Sequence, residues 1–285
     1  PGTVYNYRIR SKEMRDFQPY KVVFGDSIVS QWYTFRTVDP ESKGGSLFVV
    51  SDVHNNSSQL ETLLNLCDYA GDMMSYMEND ETPFQAFIDT SVRLFASSIP
   101  FDMVRGNHET RGKLARSYPG LFPKSSGKIY GSRRIGAIMI VMLDCGEDKP
   151  DNVPVYAGLT DFDAYRTEQA EWLAQLVETE EFKTARYRIV ISHFPMANVF
   201  PDEELNHGIN DLKAKMLPIL NKAGIALMVS GHTHRFAFHE KDKTGNAFPV
   251  IVGSNRSATR LDISDGKIKA KVIDNAGNVL LDTTF

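Results

Sequence analysis

Five of the chain's seven histidines, His54, His108, His193, His232 and His234, fall in short segments that also carry Asp52, Asp72 and Asn107. The segments read Asp52-x-His54, Gly71-Asp72, Gly106-Asn107-His108-Glu109, His193 and Gly231-His232-Thr233-His234. Imidazole nitrogens and carboxylate or amide oxygens are hard-to-borderline ligands, and no cysteine stands among them. Such a set suits Zn, Mn or Fe rather than Cu(I). Taken singly, each histidine is most simply a satisfied imidazole of the surface or core. Five in matching contexts beside two carboxylates and an amide are better explained by metal binding. His207 and His239 have no such context and read as ordinary surface residues.

The context is the end of a strand. Leu47–Ser51, Phe101–Arg105, Arg188–Ser192 and Ala226–Ser230 are apolar runs of strand length, and Asp68–Ala70 is a weaker one. Each is followed at once by a metal-competent side chain. Loops at the carboxyl ends of strands converge on one crevice in α/β sheets, which is where ligands bind. In Asp52-x-His54, residues two apart at an extended strand end point the same way and can serve one ion. His232-x-His234 has the same spacing, although a turn there would send its two imidazoles to different ions.

Helices lie between these strands. Ser57–Cys67 has helical spacing in Leu60, Leu63, Leu64 and Cys67, and Pro83–Ala96 repeats it behind a proline suited to a helix start. Thr167–Glu178 and Asp211–Ala223 are further helices, and Ile135–Leu143 reads as a buried strand. Strand–helix alternation implies a sheet with helices packed on it. After Arg235 the pattern turns to strands alone, at Phe248–Gly253, Ala258–Ile263, Ile268–Ile273 and Val279–Asp282, so a β meander forming a second sheet is expected. Before Ser46, Val4–Arg10 and Ser30–Thr37 alternate apolar and polar residues as half-buried antiparallel strands do, and Pro40–Gly45 reads as a linker. Two such strands cannot form a stable domain alone. Residues 1–45 are therefore expected to be the end of an N-terminal β domain plus linker, and residues 46–285 a catalytic domain.

Bulk properties narrow the function classes. With 42% hydrophobic and 24% charged residues over 285 positions, the chain has the composition of an ordinary globular protein. Its net charge of -4 gives no general attraction to nucleic acid or an anionic membrane. Cys67 and Cys145 are too few for a disulfide framework. No apolar run approaches the ~20 residues that span a bilayer. The sequence starts at Pro1 without a signal-peptide pattern and reads as a trimmed piece of an exported protein.

The five segments, in this order, resemble the motifs of the calcineurin-like metallophosphoesterase superfamily, over about residues 46–260. A lone Asp-x-His carries no weight, but five blocks in register are specific. The resemblance implies an α/β fold in which two β-sheets form a sandwich flanked by helices. It also implies two metal ions. Asp52, His54, Asp72 and His234 would hold one, and Asp72, Asn107, His193 and His232 the other, with Asp72 bridging. His108 would be the non-ligand histidine near the leaving-group oxygen. Within the superfamily the chain is most similar to proteins related to purple acid phosphatases, which carry a β domain before the catalytic one. It departs from them at His54, where they lack a histidine ligand, and at Ser75, where their iron-binding tyrosine would fall. Tyr76 is one position off, so a tyrosinate ligand does not carry over.

The implied reaction is hydrolysis of a phosphomonoester or phosphodiester of a small or lipid-like molecule. Two cations so placed make a nucleophile of water at neutral pH and clamp the phosphoryl oxygens. His108 would serve as general acid. Glu109 would orient His108 or be a plain surface carboxylate. Arg105 and Arg111 would contact phosphate or form structural salt bridges. Asn55 and Asn56 suit the turn into the helix at Ser57. The rival readings are a non-catalytic metal-binding scaffold, against which the complete ligand set counts, and a nuclease, against which the acidic balance counts.

Overall fold

The computed structural model describes residues 1–64, 71–201 and 204–285. Cys67 and the weak strand expected at Asp68–Ala70 lie outside the described residues. The strands, in chain order, begin with β1 (Val4–Tyr7), β2 (Arg10–Gln18), β3 (Lys21–Val29) and β4 (Tyr33–Arg36). β1 pairs with β4 antiparallel, as their alternation predicts, and Tyr5 stacks on Phe35. Between them β2 and β3 form a hairpin that the sequence pattern does not reveal. The reason is physical: nearly every residue of both strands is exposed, so no buried face imposes a period of two.

The remaining strands are β5 (Gly45–Val49), β6 (Gly131–Ile135), β7 (Ile138–Leu143), β8 (Tyr187–Ser192), β9 (Leu227–Ser230), β10 (Ala237–His239), β11 (Val250–Val252), β12 (Ser257–Ser264), β13 (Lys267–Asp274) and β14 (Val279–Thr284). One six-stranded sheet runs β10-β11-β9-β8-β7-β6, parallel from β7 to β11 with antiparallel edges. The other, four-stranded and antiparallel, runs β14-β13-β12-β5. The expected two-sheet sandwich is therefore present.

β7 shows why the sheets stack as they do. Every residue of Ile138–Leu143 is buried, as both faces of an inner parallel strand must be. Ile138, Ile140 and Met142 face the second sheet's Leu261, Ile263, Ile268 and Val272. Met139, Val141 and Leu143 face Leu173, Leu212, Met216 and Leu220. These last belong to the helices α3 (Phe162–Leu176) and α5 (His207–Leu220). A third core joins Leu60 and Leu63 of α1 (Ser57–Leu64) to Met73, Met74, Met77, Phe87 and Tyr118. The helix expected from Pro83 is present, with π-helical turns at Phe84–Ile88 and Val92–Ala96 around the α turn Asp89–Ser91.

Four sequence expectations change. The run Ile135–Leu143 is two strands, because Gly136 turns the chain at a φ of +54° and the Ala137 N–H bonds to Ser42. Phe101–Arg105 is not a strand. Its Met103 and Arg105 carbonyls accept from the side chains of Lys124 and Cys145. β11 joins the first sheet parallel to β9, leaving β12–β14 as the meander. The two helices expected at 167–178 and 211–223 each begin four or five residues earlier and end two or three earlier. No helix among the described residues is long and apolar enough to cross a membrane.

Candidate metal centre

All seven proposed ligands and His108 come together where the two sheets meet. Asp52 and His54 leave β5 of the second sheet, while His193 and His232–His234 leave β8 and β9 of the first. Asp72 and Asn107 come from loops held between them. Asp52, Asp72, Asn107 and His193 are buried, His54, His108 and His232 are half-buried, and His234 is exposed.

The backbone makes this convergence in a way the extended-strand argument does not foresee. Asp52, His54, Asp72, His232 and His234 all have positive φ, between 47° and 75°. This left-handed region is uncommon for side-chain-bearing residues and tolerated best by Asn, Asp and His. Cross-loop hydrogen bonds hold it. The Asp52 N–H donates to Gly71 and the His54 N–H to Asp72, at 3.0 and 3.1 Å, and the His232 N–H donates to both Asp52 carboxylate oxygens. Two glycines permit the close approach. A methyl group at Gly106 would overlap Asp72 Oδ1, and one at Gly231 would overlap Ser51 Oγ and press on Asp52.

Side-chain atoms of Asp52, His54 and His234 fall within 4.8 Å of one another, and so do those of Asp72, His193 and His232. A third such group is His54, Asp72 and His108, so Asp72 belongs to two of the three. His54 Nε2 and His234 Nε2 face each other at 3.0 Å, and His193 Nε2 lies 3.1 Å from Asp72 Oδ2. Asn107 Oδ1 is buried and has no hydrogen-bond partner among the described residues. Leaving a buried oxygen unsatisfied costs about 1–3 kcal/mol, and a cation is a partner that would satisfy it. The donor set and this orphaned oxygen both fit metal ions.

Electrostatics divide the set. Burial lowers the pKa of His54 to about 4 and of His232 to about 3, so both imidazoles are neutral and keep a lone pair near pH 7. Burial works against a charge on His193 too, but the Asp72 carboxylate overrides it and raises His193 to about 9. Burial likewise opposes ionisation of Asp72, and the facing His193 outweighs it, holding the carboxyl below its ordinary value. Asp52 is pushed up, first by burial.

The surrounding residues settle several open readings. Glu109 is fully buried and so is not a surface carboxylate. Its carboxylate accepts from the Gly106, Asp72 and Met74 N–H groups at 2.8, 2.9 and 3.2 Å, tying the Asn107 loop to the Asp72 loop. Burial first, then Asp72, raises its pKa to about 7. Arg105 is committed to a buried pair with Asp144, whereas Arg111 pairs with Glu147 and also reaches His108. Asn56 accepts from the Gln59 N–H as the cap of α1, and Asn55 accepts from the Ser75 N–H. His108 Nδ1 stands 2.9 Å from the Ser75 carbonyl, so Nδ1 carries the hydrogen and Nε2 turns to the site. Tyr76 is half-exposed and lines a side cavity with Asn55, Ser75 and Glu78. His207 bonds Asp163 and His239 bonds the Val199 carbonyl, both away from the cluster.

Sequence reasoning missed Glu147 and Asn206. Asn206 caps α5 through Ile209 N–H and places its amide 3.1 Å from His232 Nε2. Its signal was present, an Asn directly before a helix. Glu147 has no local signal, since it reaches the site only through the fold.

Comparison with known proteins agrees with the geometry. The chain is 25% identical over 278 residues to probable purple acid phosphatase 20 of Arabidopsis thaliana, covering 88% of this chain and 57% of that protein. It is 26% identical over 141 residues to the serine/threonine-protein phosphatase CPPED1 of Mus musculus, covering 49% and 43%. The chain thus spans about half the length of the curated relatives it matches. The fold resembles that of the purple acid phosphatase PPD1 from yellow lupin (Lupinus luteus) seeds, with a TM-score of 0.65 at 13% identity over all of this chain and 60% of that one. The family model for calcineurin-like phosphoesterases matches residues 45–236, from the first strand of the sandwich to just past His234, and the chain belongs to that family.

Proposed function

We propose that this chain is a dinuclear metal-dependent phosphoric ester hydrolase acting on a small or lipid-like phosphoester. One observation carries the reading: Asp72 groups with His193 and His232 on one side and with His54 on the other, His54 also groups with Asp52 and His234, and the buried Asn107 oxygen has no partner among the described residues. In this reading Asp52, His54, Asp72 and His234 hold one ion, and Asp72, Asn107, His193 and His232 the other. Bound there, the two ions would activate water and neutralise charge on the phosphoryl group.

The chain's own residues supply the rest. Glu109 and Gly106 fix the distance between the Asp72 and Asn107 loops, which sets the spacing of the two sites. The Ser75 carbonyl orients His108 through Nδ1, so a proton passed to a departing alkoxide must leave from Nε2 of the imidazolium. Phe194 packs its ring against His232 and helps to hold that imidazole in place.

Metal-loaded protein should be assayed against p-nitrophenyl phosphate, its bis ester and single-stranded DNA. Hydrolysis of either small ester is the expected result. Inactivity on all three with both metals bound would make the chain a binding scaffold, and activity on DNA alone would make it a nuclease.

A further inference from the structure

Arg111 holds a position at the centre that the ligand set does not explain. Its Nε and Nη2 lie 2.6 and 2.9 Å from the two carboxylate oxygens of Glu147, a fork-to-fork pairing. Glu147 is itself fixed, because it is buried and accepts from Thr110 Oγ1 at 3.0 Å. This pairing leaves Nη1 over. Nη1 stands 3.2 Å from His108 Nε2, the nitrogen that faces the site. The Arg111 side chain is one-third exposed, so solvent and substrate can reach it.

The backbone pins the same residue. Arg111 ends the short turn His108–Thr110, its carbonyl accepts from the Met77 N–H at 2.8 Å, and its N–H donates to the His108 carbonyl. A guanidinium anchored at both the backbone and two of its nitrogens has little rotamer freedom left to lose on binding a ligand. Arg105 makes the contrast. Its Nε and Nη2 pair with Asp144 in the same way, but its side chain is only 11% exposed and lies over the rings of Phe162 and Tyr165.

We propose that Arg111 is a substrate-contacting residue, whose Nη1 donates to a non-bridging phosphoryl oxygen on the His108 side of the centre. The proposal rests on the phosphoesterase reading above. Without substrate, Nη1 lies against the His108 ring, 3.2 Å from Nε2 and 3.5 Å from Nδ1. A phosphoryl oxygen carries more negative charge than an imidazole nitrogen and is the stronger acceptor. Nη1 therefore turns to the phosphate, while Glu147 keeps the guanidinium plane in place.

The test is a calorimetric titration of inorganic phosphate into metal-loaded wild type, Arg111→Ala, Arg111→Gln and Arg111→Lys, with metal content measured on each. Arg111→Ala and Arg111→Gln should keep both metals and bind phosphate about ten- to a hundredfold more weakly, the range for one charge-assisted hydrogen bond. KM for p-nitrophenyl phosphate should rise with it. Arg111→Lys should recover only part, since a lysine restores the charge but not the fork. Unchanged phosphate binding with both metals retained would overturn the proposal. So would loss of metal in all three variants, which would make Arg111 a structural tie between the Asn107 loop and Glu147. A wild type that hydrolyses phosphoesters while the variants bind phosphate equally well sinks only the role of Arg111. A metal-loaded wild type that neither binds phosphate nor hydrolyses any ester sinks the underlying reading as well.

Discussion

Asp52, His54, Asp72, His232 and His234 occupy left-handed backbone, a conformation that costs of order 1–3 kcal/mol when a side chain is present. Their identities were legible in the sequence because Asp, His and Asn recur after apolar runs. The conformation was not, since the same residues two apart also fit an extended strand end. Asp52 and His54 do reach one group with His234, but through turns rather than through strand alternation. At this scale the role of His108 can be separated from that of the ligands. With Nδ1 bonded to Ser75, His108→Ala should keep both metals and lose activity about 10²–10⁴-fold on alkyl phosphates. The loss on p-nitrophenyl phosphate should be far smaller, because p-nitrophenolate leaves without protonation. Steady-state rates on both substrates decide it. Equal losses would mean that His108 acts in binding or metal support.

Elements with a buried face were the most legible. β8, β9 and the β12–β14 meander follow from their apolar patterns, while the exposed β2–β3 hairpin left no pattern to read. The start of α3 was misplaced because its cap comes from elsewhere in the chain. Asp161 sits at the N-cap of α3 without a side-chain cap bond. The orphan N–H groups of Phe162 and Asp163 instead bond to the two carboxylate oxygens of Asp151, at 2.9 and 2.8 Å. Burial opposes the charge on Asp151, but these N–H groups prevail and hold its pKa below the ordinary 3.8. A depressed carboxyl pKa contributes stability that is present above the unfolded value and lost as the pH falls through the folded one. Asp151→Ala should therefore cost about 1 kcal/mol near neutral pH, as a lower denaturant midpoint at unchanged slope. Wild type and variant should converge once the pH drops below that carboxyl's range. A gap that persists in acid would contradict this cap.

At the scale of the molecule, the two sheets are what bring the candidate centre together. The second sheet supplies Asp52 and His54 through β5, the first supplies His193, His232 and His234 through β8 and β9, and Asp72 sits between them. Two sheets were legible from strand–helix alternation followed by a terminal meander, and their sandwich arrangement from the family resemblance. The assignment of β11 to the first sheet was not, because its apolar run fits either sheet equally well. The central claim is that Asp72 joins two metal sites, one drawing on both sheets and the other on the first. It is tested by elemental analysis of wild type, His54→Ala and Asp72→Ala after loading and exhaustive dialysis. About two equivalents per chain are expected in wild type, with one site mainly weakened in His54→Ala. Asp72→Ala should disturb both sites and retain less than one tightly bound ion. Two full equivalents in Asp72→Ala would contradict the account.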